Sequence, residues 1–212
     1  MTKPQKNIID ENREGPSLLK FVQLFKLFIP KNTRTLLRLK KFENLDLQKL
    51  NKITGLQIKA LIVDCDDCIS YNHGAILEEN ISHLKKLLKQ GTKIVIYSNM
   101  KHSARYDVLP AEIKVLTNLK PKPDVDGFKK AIRSLGVDKK HIAMVGDNYI
   151  TDAGCLYVGI PFIKVKPIET IFKNWEWRSI MKIYGWLREF YNIIALFYDR
   201  FRSKPLTEKD LR

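Results

Sequence analysis

Residues 59–70 read KALIVDCDDCIS. The run Ala60-Leu61-Ile62-Val63 is short, apolar and partly β-branched, which predicts a strand buried on both faces of a parallel sheet. Asp64, Asp66 and Asp67 follow immediately, so three carboxylates fall within four residues. A core would not accept them, but the carboxyl end of a buried parallel strand is where open α/β sheets bind their ligands. Carboxylates gathered there need a cation, and a hard divalent metal with oxygen ligands suits them.

On either side, strands and helices alternate. Residues 44–56 predict a short helix leading into the first strand at 60–63. A helix over 75–89 stops at Gln90-Gly91. Strands are expected at 93–97 and 113–116, a helix at 125–135 closed by Gly136, a strand at 141–145, a short helix near 152–157 and a strand at 162–165. This order predicts an α/β fold, a parallel sheet with helices on both faces.

The chain has 212 residues and is 44% hydrophobic, enough for one such domain with extensions. Its net charge of +15 favours partners that carry phosphate: nucleic acid, anionic membrane or a phosphorylated substrate. Cys65, Cys68 and Cys155 are too few for a disulfide framework and suit a reducing, intracellular compartment. Residues 1–16 are polar, contain Asp10, Glu11 and Glu14, and lack the apolar stretch of a signal peptide; they are expected to be disordered. No apolar run approaches the ~20 residues of a spanning helix.

Two flanking segments differ from the centre. In residues 17–42, Leu18, Leu19, Val22, Phe25 and Ile29 recur at helical spacing up to Pro30, and Lys20, Lys26, Lys31, Arg34, Arg38, Lys40 and Lys41 occur with no acid among them. This is a helix packed on the domain or a basic amphipathic helix lying on anionic lipid. Residues 168–201 hold Trp175, Trp177 and Trp186, and Ile180, Tyr184, Leu187, Tyr191, Ile194 and Tyr198 step by three and four. Such a stripe covers a sheet, forms a seam with a second copy of the chain, or sits at a membrane interface. The expected division is a tail at 1–16, a basic helical segment at 17–58, a core at 59–167 and an aromatic-rich helical extension at 168–212.

Four polar sites fall at the ends of four expected strands: Asp64 and Asp66, then Ser98-Asn99, then Lys120-Pro121-Lys122-Pro123, then the run 146–152, GDNYITD. In a parallel sheet these ends converge on one edge. The order, DxDx(T/V), then Ser, then Lys, then GDxxxTD, resembles the haloacid dehalogenase-like (HAD) phosphotransferases over about residues 59–165. LFIPK ahead of the core, SN at the second site, and KP with Phe128 six residues past the lysine are similar to subfamily IIIA. That is the YqeG-type group, which includes phosphatidylglycerophosphate (PGP) phosphatases of mitochondria, plastids and bacteria.

The resemblance implies a HAD-like fold, a Mg²⁺ requirement and an aspartyl-phosphate intermediate. Asp64 would be the nucleophile, a role that splits one hard displacement into two. Asp66 would protonate the leaving alkoxide and then activate water. Ser98 would donate to a phosphoryl oxygen, with Asn99 beside it in substrate binding. Lys122 would neutralise phosphoryl charge, with Lys120 as the alternative two residues earlier. Asp147 would hold Mg²⁺ with the Asp64 carboxylate and the Asp66 carbonyl, and Asp152 would support that shell or join it.

Two positions depart from the family pattern. Cys68 stands where Thr or Val is usual, and Asp67 where Asn is common, which adds negative charge beside the nucleophile. Cys65-x-x-Cys68 is formally a metal or redox half-site, but no second pair accompanies it. Only 33 residues separate Asp64 from Ser98, and 23 separate Ser98 from Lys122, so neither gap holds a cap domain. An open site suits a phosphate presented by something large. The flanks favour a phospholipid on an anionic membrane and disfavour nucleic acid, whose grooves mix basic and aromatic residues near the site. The expected activity is dephosphorylation of PGP by a protein peripheral on a bacterial cytoplasmic membrane, or on a mitochondrial or plastid inner membrane, in the route to phosphatidylglycerol and cardiolipin. The alternatives are a HAD phosphatase for nucleic-acid ends or phosphoproteins, and a non-catalytic membrane-binding module.

Overall fold

Strand β2, Ala60–Val63, lies inside a seven-stranded parallel sheet in the order β4-β3-β2-β5-β6-β1-β7. The other strands are β1, Thr35–Leu39; β3, Lys93–Tyr97; β4, Lys114–Leu116; β5, Ile142–Gly146; β6, Phe162–Val165; and β7, Leu206–Thr207. Among the described residues, the helices that pack on it are α1, Leu47–Thr54; α2, Glu78–Lys89; and α3, Val125–Leu135. The computed structural model describes residues 18, 22, 35–71, 74–100, 104–168, 186, 190, 193–195, 197 and 204–211.

All four residues of β2 are fully buried. Its side chains alternate between two cores, as a pleated strand requires. Leu61 and Val63 pack with Ile94, Ile96, Val145 and with Leu84 and Leu87 of α2. Ala60 and Ile62 pack with Val95, Met144 and with Phe128 and Ala131 of α3. Burial on both faces explains why β2 reads as an uninterrupted apolar run. Register is the same on both sides: Ala60 pairs with Lys93 and with Ile142, and Val63 with Ile96 and with Val145. The ends of β2, β3 and β5 therefore reach the same edge at the same height.

Helix α3 has the predicted bounds, starting at an Asp124 cap that accepts from the Asp126 N–H at 2.8 Å and ending at left-handed Gly136. Helix α2 begins at residue 78 rather than 75, because Ile76 is held extended in a bridge to Ser70.

Two strands correct the sequence reading. Thr35–Leu39 lies in the segment expected to be helical, yet Thr35, Leu37 and Leu39 are buried while Leu36 and Arg38 are partly exposed, a period of two. The strand is set by its neighbours, β6 on one side and β7 on the other. Leu206–Thr207, assigned above to a terminal extension, is that second neighbour and belongs to the sheet. Residues 1–16, Lys20, Lys26, Lys31, Arg34, Trp175 and Trp177 lie outside the described residues. Trp186, Phe190, Ile193 and Phe197 are helical and each more than half exposed, and the Trp186 and Phe190 rings stack at 5.8 Å. Among the described residues no helix is long and apolar enough to cross a membrane.

Candidate active site

The Asp64 N–H donates to the Val145 carbonyl at 2.9 Å and so extends the β2–β5 ladder by one rung. The chain then turns tightly. The Cys65 carbonyl accepts the N–H groups of Cys68, Ile69 and Ser70 at 3.3, 3.0 and 3.0 Å, and the Ser70 hydroxyl at 3.1 Å. Asp67 takes a left-handed conformation, φ 57°, which Asp and Asn tolerate better than most residues. Cys68 is fully buried in the apolar core, so it fills the volume a Thr or Val would fill. All three cysteines are free thiols, and burial pushes the Cys65 thiol up to about 12. Neither member of the CxxC belongs to the metal-competent group described next.

Asp64 meets two acids from the loop after β5. Oxygens of Asp64, Asp147 and Asp152 lie within 4.8 Å of one another, and all three residues are buried. The loop is closed on itself: the Asp152 N–H donates to the Asn148 carbonyl at 2.8 Å, and Asp152 Oδ2 accepts from the Asn148 N–H at 3.0 Å. Gly146 makes this possible. A Cβ there would stand 2.4 Å from Asp152 Oδ2 and 2.7 Å from Asp152 Cβ, too close for either atom. Gly146→Ala is therefore expected to push Asp152 out of the cluster. The expected cost is about 1–3 kcal/mol of stability in urea unfolding, the usual range for overpacking, with a fall in activity; an unchanged unfolding midpoint would contradict the close approach.

Lys122 sits among the acids. Its Nζ lies 2.5 Å from Asp64 Oδ1 and 2.6 Å from Asp152 Oδ1, and the residue is 2% exposed. Asn99 fixes the lysine's backbone from both sides: its Oδ1 accepts from the Lys122 N–H at 2.7 Å, and its Nδ2 donates to the Lys122 carbonyl at 3.3 Å. The Tyr97 ring lies 5.6 Å from Nζ. Lys120 is exposed and pairs with Asp126 at 2.8 Å, so the structure brings Lys122, not Lys120, to Asp64.

The electrostatics follow from burial. Loss of water raises the Asp64 pKa well above the ordinary carboxylate range. The charges of Asp152, Asp147 and Asp66 push it the same way, while Lys122 opposes them, as does the Cys65 N–H, which donates to Asp64 Oδ1 at 2.8 Å. Burial works against the Lys122 charge, but Asp152 and Asp64 outweigh it and hold the ammonium protonated. One lysine does not balance three buried acids. The donors are all hard oxygens, so the group fits a small divalent cation such as Mg²⁺.

Asp66 faces another way. Ser98 Oγ donates to its Oδ2 at 3.2 Å and accepts from the Met100 N–H at 3.0 Å. Arg105 then grips both carboxylate oxygens, Nη1 to Oδ1 at 2.6 Å and Nη2 to Oδ2 at 3.0 Å. Sequence reasoning missed Arg105, which lies in a short turn, Ala104–Tyr106, beyond the Ser98-Asn99 site. No motif marks it; the only available signal was that a buried Asp66 needs a cationic partner.

A family model described as mitochondrial PGP phosphatase matches residues 17–155 of the chain. The crystal structure of an uncharacterized protein from Listeria monocytogenes serotype 4b is similar over 56% of this chain and 84% of its own, with 20% identity and a TM-score of 0.44. No curated protein matches.

Proposed function

The chain belongs to the mitochondrial PGP phosphatase family, a HAD-like group of phosphatases, and on that premise we propose that it hydrolyses PGP through an aspartyl-phosphate on Asp64, with Mg²⁺ held by Asp64, Asp147 and Asp152. The observation that carries the proposal is the buried group of three carboxylates with the Lys122 ammonium against Asp64 Oδ1. Asp64 attacks phosphorus, the P–O bond to the glycerol breaks, and Asp66 gives its proton to the leaving oxygen. Asp66 then takes a proton from water as that water attacks the aspartyl-phosphate, which releases phosphate and restores Asp64. Lys122 stabilises charge on the phosphoryl oxygens, Ser98 offers one of them a hydrogen bond, and Asn99 serves by holding the Lys122 backbone. Bound Mg²⁺ would supply the positive charge that keeps Asp64 ionised and neutralises the phosphoryl group.

The membrane is the second half of the proposal. Trp186, Phe190, Ile193 and Phe197 form a helical stripe of exposed apolar side chains, and a chain of net charge +15 is drawn to anionic lipid. The site then works on a headgroup at the surface on which the protein sits.

Phosphate release tests both halves, with four samples: PGP in anionic vesicles, short-chain PGP in solution, a 5′-phosphorylated oligonucleotide, and PGP vesicles with EDTA. The expected order is fastest release from vesicles, slower from the soluble lipid, almost none from the oligonucleotide and none in EDTA. Turnover undiminished by EDTA would remove the metal. Preference for the oligonucleotide would replace the lipid reading by one centred on nucleic-acid ends.

A further inference from the structure

We propose that Arg105 is the positioning residue for Asp66, and that it acts on the reaction through the leaving group. The inference rests on reading Asp66 as the group that protonates the departing alkoxide.

The geometry is that of a clamp. A guanidinium with one N–H on each carboxylate oxygen fixes both the place and the plane of the carboxylate, which a single-point contact does not. Arg105 is itself held: Nη2 also donates to the Tyr106 hydroxyl at 2.8 Å, and its guanidinium lies 4.8 Å from the Tyr106 ring. Burial, the largest influence, pushes the Tyr106 phenol up to about 12, so it keeps its proton, and it hydrogen-bonds Ser98 as well. Ser98 in turn reaches Asp66. Asp66, Arg105, Tyr106 and Ser98 thus close a ring of contacts, with the Asp66 and Arg105 side chains only 11% and 8% exposed.

The ring also solves a problem of crowding. Asp66 is two residues from Asp64 and within its electrostatic reach. A fourth acid beside a cation-binding group has a strong reason to turn into it. Arg105 offers a competing cation, and with its two N–H groups on the Asp66 carboxyl that group stays out of the Asp64, Asp147 and Asp152 cluster. Oδ2 already accepts from both Ser98 and Arg105, so the transferable proton is carried on Oδ1, whose two lone pairs it shares with the Arg105 Nη1 N–H. As the P–O bond breaks, its electrons go to the leaving oxygen and the proton of Asp66 follows them.

This role predicts a leaving-group dependence that a merely structural role would not produce. An alkoxide leaves poorly without a proton, whereas p-nitrophenolate leaves without one. The ratio kcat/KM reports steps up to loss of the leaving group, so it isolates the first half of the reaction. We would measure it for short-chain PGP and for p-nitrophenyl phosphate with the wild type, Arg105→Ala, Arg105→Lys and Asp66→Asn, each checked for its fold by circular dichroism. Arg105→Ala is expected to lose on the order of 10²-fold on the alkyl ester and less than ~10-fold on the aryl ester, the scale of general acid catalysis. Arg105→Lys keeps the charge but not the fork and should fall between wild type and Ala with the same selectivity. It carries the test alone if the Ala variant does not fold. Equal losses on both esters for the Arg105 variants, with Asp66→Asn still selective, overturn the inference and leave the reading of Asp66 intact. An Asp66→Asn variant that loses equally on both esters overturns that reading, and the inference falls with it.

Discussion

Asp64→Asn is expected to abolish Mg²⁺-dependent phosphate release and, with EDTA present, to raise the melting temperature. The loss of activity is expected to exceed about 10⁴-fold, as for removal of other catalytic nucleophiles. The gain in stability has a separate cause. Burial and the charges of Asp152, Asp147 and Asp66 all disfavour the Asp64 carboxylate, with Lys122 the main charge against them. A neutral isostere removes that repulsion, and each 1 kcal/mol gained moves the melting temperature of a domain this size by roughly 2–4 °C. The pH dependence carries the same sign. A carboxyl whose folded pKa is raised binds its proton more tightly in the folded state. Its contribution to stability is therefore present below the ordinary carboxylate range and is lost as pH rises through the raised value. Metal-free wild type should thus lose stability across that window relative to Asp64→Asn. Calorimetry in EDTA across a pH series checks this. A variant that melts lower than wild type at neutral pH would mean that the Lys122 pair outweighs the crowding.

Lys122→Ala is expected to be the most damaging lysine substitution in this loop. It leaves Asp64 and Asp152 buried without their shared cation. Breaking a buried pair from one side costs about 3–5 kcal/mol. Catalysis should fall by a further ~2–4 kcal/mol in transition-state binding, the scale of one preorganised electrostatic contact. Lys120→Ala, which removes an exposed partner of Asp126 and Asp124, should leave stability and activity close to wild type. Urea unfolding in EDTA, together with kcat/KM on PGP, separates the two losses. The reverse ranking of the two lysines would refute the site as described.

What the sequence disclosed follows burial. Strands β2, β3 and β6 and helix α3 have the predicted bounds because buried parallel strands and a two-sided helix leave continuous or periodic apolar patterns. Asp64, Lys122, Asp147 and Asp152 were legible because each sits at the end of a strand or in the loop that follows it, and topology brings those ends together. Strand β1 was not legible, since Thr-Leu-Leu-Arg-Leu reads as well on a helix as on a strand, and only its neighbours decide. Arg105 was not legible for a related reason. Its partner Asp66 is 39 positions away, and nothing in the chain near Arg105 records that pairing.

The position of β1 between β6 and β7 also determines what can be cut from this protein. Residues 17–155, the span that carries the family likeness and every acid of the site, keep β1 but end before either of the strands beside it. In that fragment Leu37 and Leu39 would have no sheet to enter, and β5 would present an unpaired edge to other molecules. The same holds for a chain still being synthesised: β1 emerges from the ribosome early and must wait unpaired until residues 162–165 follow it. The catalytic signature is thus shorter than the unit that folds, and an engineered minimal enzyme must reach at least through β6.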